Sequence, residues 1–215
     1  MNQEFTQTQS TQSFKEKVIK FYKSNKILII SISTIVLISF FSIVGYVEFK
    51  EKKNLLLSES YIDAKIYINN GEKDKAKKIL KEIIFSNNNT YSVLSFFLLM
   101  NENLIKDQQE VDDLFNHLLK DGNFDKEVEN LIIFKKALFK SNYSDEIELL
   151  DTLKPLINGD SVWKPHALFL LGDYFLYKKE FLKAKEFYLQ ILTLKNLHKE
   201  FYEEAQLQLS FIENE

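Results

Sequence analysis

Residues 168 to 196 read LFLLGDYFLYKKEFLKAKEFYLQILTLKN. Apolar residues recur at i, i+3, i+4 and i+7 on either side of a short polar break near Lys179, which is the period of two half-buried helices. So short a connection forces the pair antiparallel, as a helical hairpin. Gly172 and Ala184 are small where the two helices cross, and Leu168, Leu171, Phe175, Tyr188 and Ile191 fill the space around them. The stretch Ser60 to Asn88 repeats the design through Ala64, Tyr67, Gly71, Ala76, Leu80 and Ile83. Ala76 and Ala184 lie 108 residues apart, leaving room for two more hairpins of degenerate pattern between them.

Polar stops punctuate the chain at Asn69-Asn70-Gly71, Asn87-Asn88-Asn89, Asp121-Gly122-Asn123, Ser141-Asn142 and Asn158-Gly159. They predict helices near 55–69, 73–86, 90–104, 108–120, 124–140, 145–157, 162–178, 181–194 and 199–213. The last has no partner and is expected to cap the open end of a stack. Val111, Phe115 and Leu118 continue the repeat weakly, whereas Lys135, Asp151 and Lys154 occupy places that should be apolar or small. With 5 Gly, 2 Pro and 45% hydrophobic residues among 215, turn-dense β folds are disfavoured.

From Ile27 to Val47 the chain carries no charge, and as a helix this run is about 31 Å long, enough to span a bilayer. Ser31, Ser33, Thr34, Ser39 and Ser42 can bond back to helix carbonyls within lipid. The run is longer than the apolar core of a signal peptide and ends in no small-x-small cleavage site, so it reads as an uncleaved anchor. Five Lys precede it and three follow closely, which favours a cytoplasmic N-terminus. Residues 54–215, with 20 Lys against 27 acidic residues, then lie outside the cytoplasm. Residues 1–13 are polar and read as a disordered tail. Ser13 and Glu16 form a capping box that opens a juxtamembrane helix over 14–26, whose lysines meet lipid headgroups. Gly45 is the sole breaker before Gly71, which predicts one helix running from that cap through the membrane into the following domain.

The ordered set Leu168, Leu171, Gly172, Phe175, Ala184, Tyr188, Ile191 and Asn196, the last standing where Pro is usual, resembles a tetratricopeptide repeat (TPR). The resemblance implies an all-α chain in which an N-terminal transmembrane helix precedes a TPR-like α-solenoid. That solenoid, residues 54–215, comprises about four helical hairpins plus a capping helix. The architecture, together with LKPLINGDSVWKPHALFLLGDYFLYKKEFLKAKEFYLQIL (153–192) and EAQLQLSFI (204–212), is similar to a bacterial TPR-like family. That family includes the ancillary subunit of the SecYEG translocon, and the likeness covers roughly residues 14 to 213. It implies a single-pass inner-membrane protein with a periplasmic domain, and as partners translocon subunits, a periplasmic chaperone or an emerging polypeptide. In TPR arrays the first helix of each pair lines a concave groove. The resemblance carries that role to His166, Phe169, Asp173, Leu176 and Tyr177 in the last repeat, and to Tyr61, Lys65, Ile68 and Asn69 in the first. The competing reading makes Phe169 and Leu176 plain core residues of a stack that closes its own groove.

Chemistry of other kinds finds few residues. The absence of Cys removes thiolate sites and thiol nucleophiles. All 28 basic residues are Lys, so the guanidinium fork that reads phosphate and guanine is missing and no nucleic-acid partner is expected; an AT-rich coding sequence gives the same bias. His117, His166 and His198 are in no ligand spacing, and no GxxxxGK[ST], GxGxxG or GxSxG occurs. No cofactor, metal or catalytic residue is therefore assigned. Asn88-Asn89-Thr90 and Asn142-Tyr143-Ser144 match a glycosylation pattern but read as turns, and the run Lys73, Lys75, Lys77, Lys78, Lys81 reads as a solvated helix face. The expected function is protein binding at a membrane without catalysis. The alternatives are a self-associating scaffold in envelope assembly or cell division, and an adaptor of inverted topology facing the cytoplasm.

Overall fold

A computed structural model describes residues 14 to 214, the side chain of Lys15 excepted, so the expectations for the 1–13 tail and the Ser13 cap lie outside the described residues. Among the described residues there are ten α-helices and no strand. They are α1 (Phe14–Ser24), α2 (Lys26–Asn69), α3 (Lys73–Ile84), α4 (Tyr91–Asn101), α5 (Gln108–Asp121), α6 (Lys126–Lys140), α7 (Glu146–Asn158), α8 (Lys164–Tyr177), α9 (Phe181–Leu192) and α10 (Lys199–Glu213). The chain divides into two compact units, Met1–Leu56 and Leu57–Glu215, with the boundary inside α2.

In the first unit, the helix expected to run unbroken from Phe14 is interrupted at Asn25. The Asn25 side-chain amide donates to the Phe21 carbonyl at 3.1 Å, the local competition that makes Asn a poor interior helix residue. The interruption is slight, because Asn25 N–H still donates to Phe21 O and Ile29 N–H to Asn25 O. Helix α2 then continues for 44 residues, and its apolar window, of mean hydropathy 2.7, contains no buried residue. By length and composition it is able to cross a membrane, properties that an anchor and a signal sequence share.

In the second unit the contacts run mainly between sequence neighbours, α3 on α4, α6 on α7, α8 on α9 and α9 on α10, joined by a next-nearest contact of α6 with α8. One apolar cluster gathers Ala64, Leu80, Phe96, Leu99, Phe115 and Ile132, and a second gathers Leu149, Leu153, Leu168, Phe175, Tyr188 and Ala205. Between the clusters, Lys140 of α6 pairs with Glu148 of α7 and lies 3.5 Å from Asp112 of α5. The run of lysines on α3 is only partly the solvated face that composition predicts. Lys77 and Lys81 are half-buried and bridge Glu110 of α5 at 3.1 and 2.9 Å, because that carboxylate is presented by the next helix pair.

The turn after α2 and the turn after α8 are built alike. Glu72 N–H donates to Tyr67 O and Gly71 N–H to Ile68 O; Glu180 N–H donates to Phe175 O and Lys179 N–H to Leu176 O. Both are Schellman closures, with Gly71 and Lys179 at positive φ. Each is followed by a Glu that pairs with the Lys three residues on, Lys75 in one and Lys183 in the other. Each of those lysines sits over an aromatic ring of the preceding helix, Tyr67 at 5.3 Å and Phe175 at 4.9 Å. All of these correspondences carry the same 108-residue offset that relates Ala76 to Ala184. Helix α4 closes in the same way through Asn103, where the longer helix over 90–104 was expected.

Candidate functional site

Four neighbouring cavities open along α4, α6, α8 and α10, the alternate helices of the second unit. The first, about 350 Å³, lies between Phe97, Met100 and Asn101 of α4 and Lys135, Leu138 and Phe139 of α6. The next, about 440 Å³, takes Phe134 and Leu138 from α6, Phe169, Leu170 and Asp173 from α8, and Glu200, Phe201 and Glu204 from α10. Leu138 is a wall of both. Asp173 belongs also to a cavity of about 680 Å³ with Leu176, Tyr177, Gln208 and Phe211. A space of about 400 Å³ bordered by Asn142, Leu170 and Tyr177 lies beside them. Through these shared walls the four cavities make one trough, and a fifth cavity of about 770 Å³, between the α7–α8 and α9–α10 connections, joins it at His166 and Phe201.

Its floor is aromatic. His166 contacts Phe134 at 5.6 Å and Phe201 at 4.8 Å between ring centroids, and Phe169 contacts Phe201 at 5.7 Å and Tyr188 at 5.9 Å. Edge and tilted contacts of this kind add specificity of geometry to the area they bury. Burial lowers the pKa of His166, with Lys135 acting the same way and the Val162 backbone opposing, so its imidazole is neutral at pH 7.

All five residues assigned on α8 line this trough or the adjoining space: His166, Phe169 and Asp173 at the middle cavity, Leu176 and Tyr177 toward the far end. Phe169 and Leu176 are half-buried and also pack on the second apolar cluster, so each serves core and trough. The four residues assigned on α2 border none of these cavities. Tyr61 is half-buried with its ring 6.1 Å from that of Tyr91, Ile68 packs on the first apolar cluster, and Lys65 and Asn69 are exposed. Sequence reasoning did not reach Phe134 and Leu138 of α6 or Glu200, Phe201 and Glu204 of α10. One signal was present. Glu200 and Glu204 are like charges at i, i+4, an arrangement that costs a helix stability and so asks for a reason outside it.

Asp173 accepts a 2.6 Å hydrogen bond from the hydroxyl of Tyr188, whose ring is fully buried. Asp173 is exposed as a residue, yet partial desolvation of its carboxyl raises its pKa, Glu204 adds to the rise, and the Tyr188 hydroxyl opposes it without cancelling it. A carboxyl raised in the folded state binds more protons there than in the unfolded chain. Its contribution is therefore favourable below the ordinary aspartate range and is lost as pH rises through the folded pKa. Asp173→Asn keeps an acceptor for Tyr188 and removes the charge. The variant should melt at a higher temperature than wild type at pH 7, with the gain shrinking toward pH ~4; a lower melting temperature at pH 7 would contradict this account.

Among the described residues no group of three His, Asp or Glu side chains is placed to hold a metal ion. No family model, curated protein or solved structure matches the chain.

Proposed function

We propose that this chain is a non-catalytic, membrane-anchored interaction protein whose TPR-like stack of hairpins holds a polypeptide in the trough along α4, α6, α8 and α10. The observation that carries the reading is the continuity of that trough across alternate helices, since first helices of successive hairpins line the concave face of such arrays. The matched turns after α2 and α8 support a repeated hairpin as the unit. On this reading α2 is an uncleaved anchor, the N-terminus is cytoplasmic and the second unit is periplasmic. The partners are then a Sec-translocon subunit, a periplasmic chaperone or an emerging polypeptide.

Photocrosslinking amino acids placed at Leu138 and Leu170 of the full chain in its native membrane should give adducts identified by mass spectrometry as one of these. A probe at Ile147, exposed on α7, should give none. Equal yields from trough and control positions would sink the proposal. A reporter fused after Glu215 tests the topology directly. A scaffold that self-associates is favoured by one observation, the exposed Ile62 and Ile66 of α2. Concentration-dependent sedimentation of the purified chain would support it.

A further inference from the structure

The middle of the trough carries charge that the chain itself leaves uncompensated. Asp173, Glu200 and Glu204 stand around the aromatic floor, and among the described residues none of the three is in a salt bridge. Asp173 accepts from Tyr188, and Glu204 accepts from Gln208 at 2.9 Å; both donors are neutral. Elsewhere in the same unit, carboxylates between helices are matched by lysines, as Glu110, Asp112, Glu146 and Glu148 are. The neutral His166 adds no positive charge. Lys135 lies in the neighbouring α4–α6 cavity, Lys179 in the cavity beyond Tyr177, and Lys164 and Lys195 in the cavity of about 770 Å³ that meets the middle section at His166 and Phe201, so cations flank this section without lining it.

We infer that the α6–α8–α10 section of the trough takes a polypeptide segment in which a Lys or Arg is flanked by apolar side chains. The apolar groups lie on Phe134, Phe169 and Phe201, and the cation lies among Asp173, Glu200 and Glu204. The inference rests on the reading of the trough as a polypeptide site and adds the chemistry of the occupant. An aromatic floor supplies contact area to aliphatic and aromatic side chains, and to the methylene stem of a lysine as readily. The three carboxylates are exposed but gather at one floor, so their negative potentials add and an arriving cation is drawn to them together. A segment bearing an acid at the same place meets three like charges.

The test uses the full chain in nanodiscs of zwitterionic lipid. Its probes are three fluorescent peptides, rich in Phe and Leu, that differ at one central position: Lys, Gln or Glu. Fluorescence anisotropy should show the Lys peptide binding about tenfold more tightly than the Gln peptide, with the Glu peptide weakest. The advantage of Lys should fall as salt is raised, and Glu200→Gln with Glu204→Gln should erase it. Equal binding of the Lys and Gln peptides, or a preference that survives the double variant, overturns the inference and leaves the apolar trough reading standing. If none of the three binds while circular dichroism shows the fold intact, the trough reading fails with it.

Discussion

Gly172→Val should destabilise the second unit by about 3 kcal/mol, lowering its melting temperature by roughly 6–12 °C. Gly172 is buried in α8, and a Cβ added there would come within 2.6 Å of Tyr188 Cε1 and 2.8 Å of Cζ. The ring cannot swing away cheaply, since Tyr188 has no exposed surface and its hydroxyl is held by Asp173. In an open helix a Gly→Ala change is worth about 1 kcal/mol of stability; here overpacking, at about 1–3 kcal/mol, outweighs it. Gly172→Ala should therefore be mildly destabilising where helix propensity alone predicts a gain.

The other hairpin supplies the control. At the 108-residue offset, Gly172 and Tyr188 correspond to Ala64 and Leu80, both fully buried in one cluster. Gly172→Ala combined with Tyr188→Leu copies that pair, so the double variant should lose less than the sum of the single losses, by about 1 kcal/mol. Thermal melts of the four chains decide the point. Strict additivity would mean that the small residue in α8 and the large one in α9 are not fitted to each other.

Helix boundaries were legible wherever a stop consisted of residues that leave a helix for their own reasons. Asn69-Asn70-Gly71 closes α2 because Gly71 takes positive φ, and the predicted start at 73 and end at 69 agree with α3 and α2. The predicted end of α4 ran three residues long. Asn103 closes that helix in the left-handed region, but the apolar pattern continues through Leu104 and Ile105 as the chain leaves it. The α8 residues that border the trough were reached through the resemblance to a tetratricopeptide repeat, which assigns a groove role by position; the same assignment on α2 falls on residues that border none of these cavities. On α6 and α10 the same information is missing. Phe134 and Leu138 satisfy a helical period whether they meet α8, α7 or a ligand, and which one they meet depends on residues more than 30 positions away. Helix α10 was expected to cap the stack. It does pack on α9, and its other side carries Glu200, Phe201 and Glu204 into the trough.

The wall that α6 gives the trough depends on a charge. Lys140→Ala is expected to cost about 2–3 kcal/mol and Lys140→Met clearly less. Lys140 is 7% exposed and its ammonium lies between Glu148 of α7 and Asp112 of α5, so one side chain ties three consecutive helices. Burial alone would lower its pKa, yet Glu148 and Asp112 outweigh that and raise it, so the group stays charged. Lys136 reaches Asp112 at 3.3 Å and Asn116 at 2.6 Å, which limits the damage at α5 when Lys140 is removed. The loss falls instead on the contact with α7 and on the packing of the methylene stem, which Met preserves and Ala does not. The same contact predicts a pH dependence. Glu148 has its pKa lowered, first by the Lys140 hydrogen bond and next by Ser144, so its contribution is complete above the ordinary glutamate value of 4.5 and is lost as pH falls through the lower folded value. Wild type should therefore lose stability in that acid window, and the Lys140→Met chain should lose less. Because Leu138 and Asn142 stand within two residues of Lys140, Lys140→Ala should also weaken the peptide binding proposed for the trough, with no trough side chain touched. If chemical denaturation finds Ala and Met alike and the acid limb unchanged, the clasp is surface decoration and α6 is held by its apolar face alone.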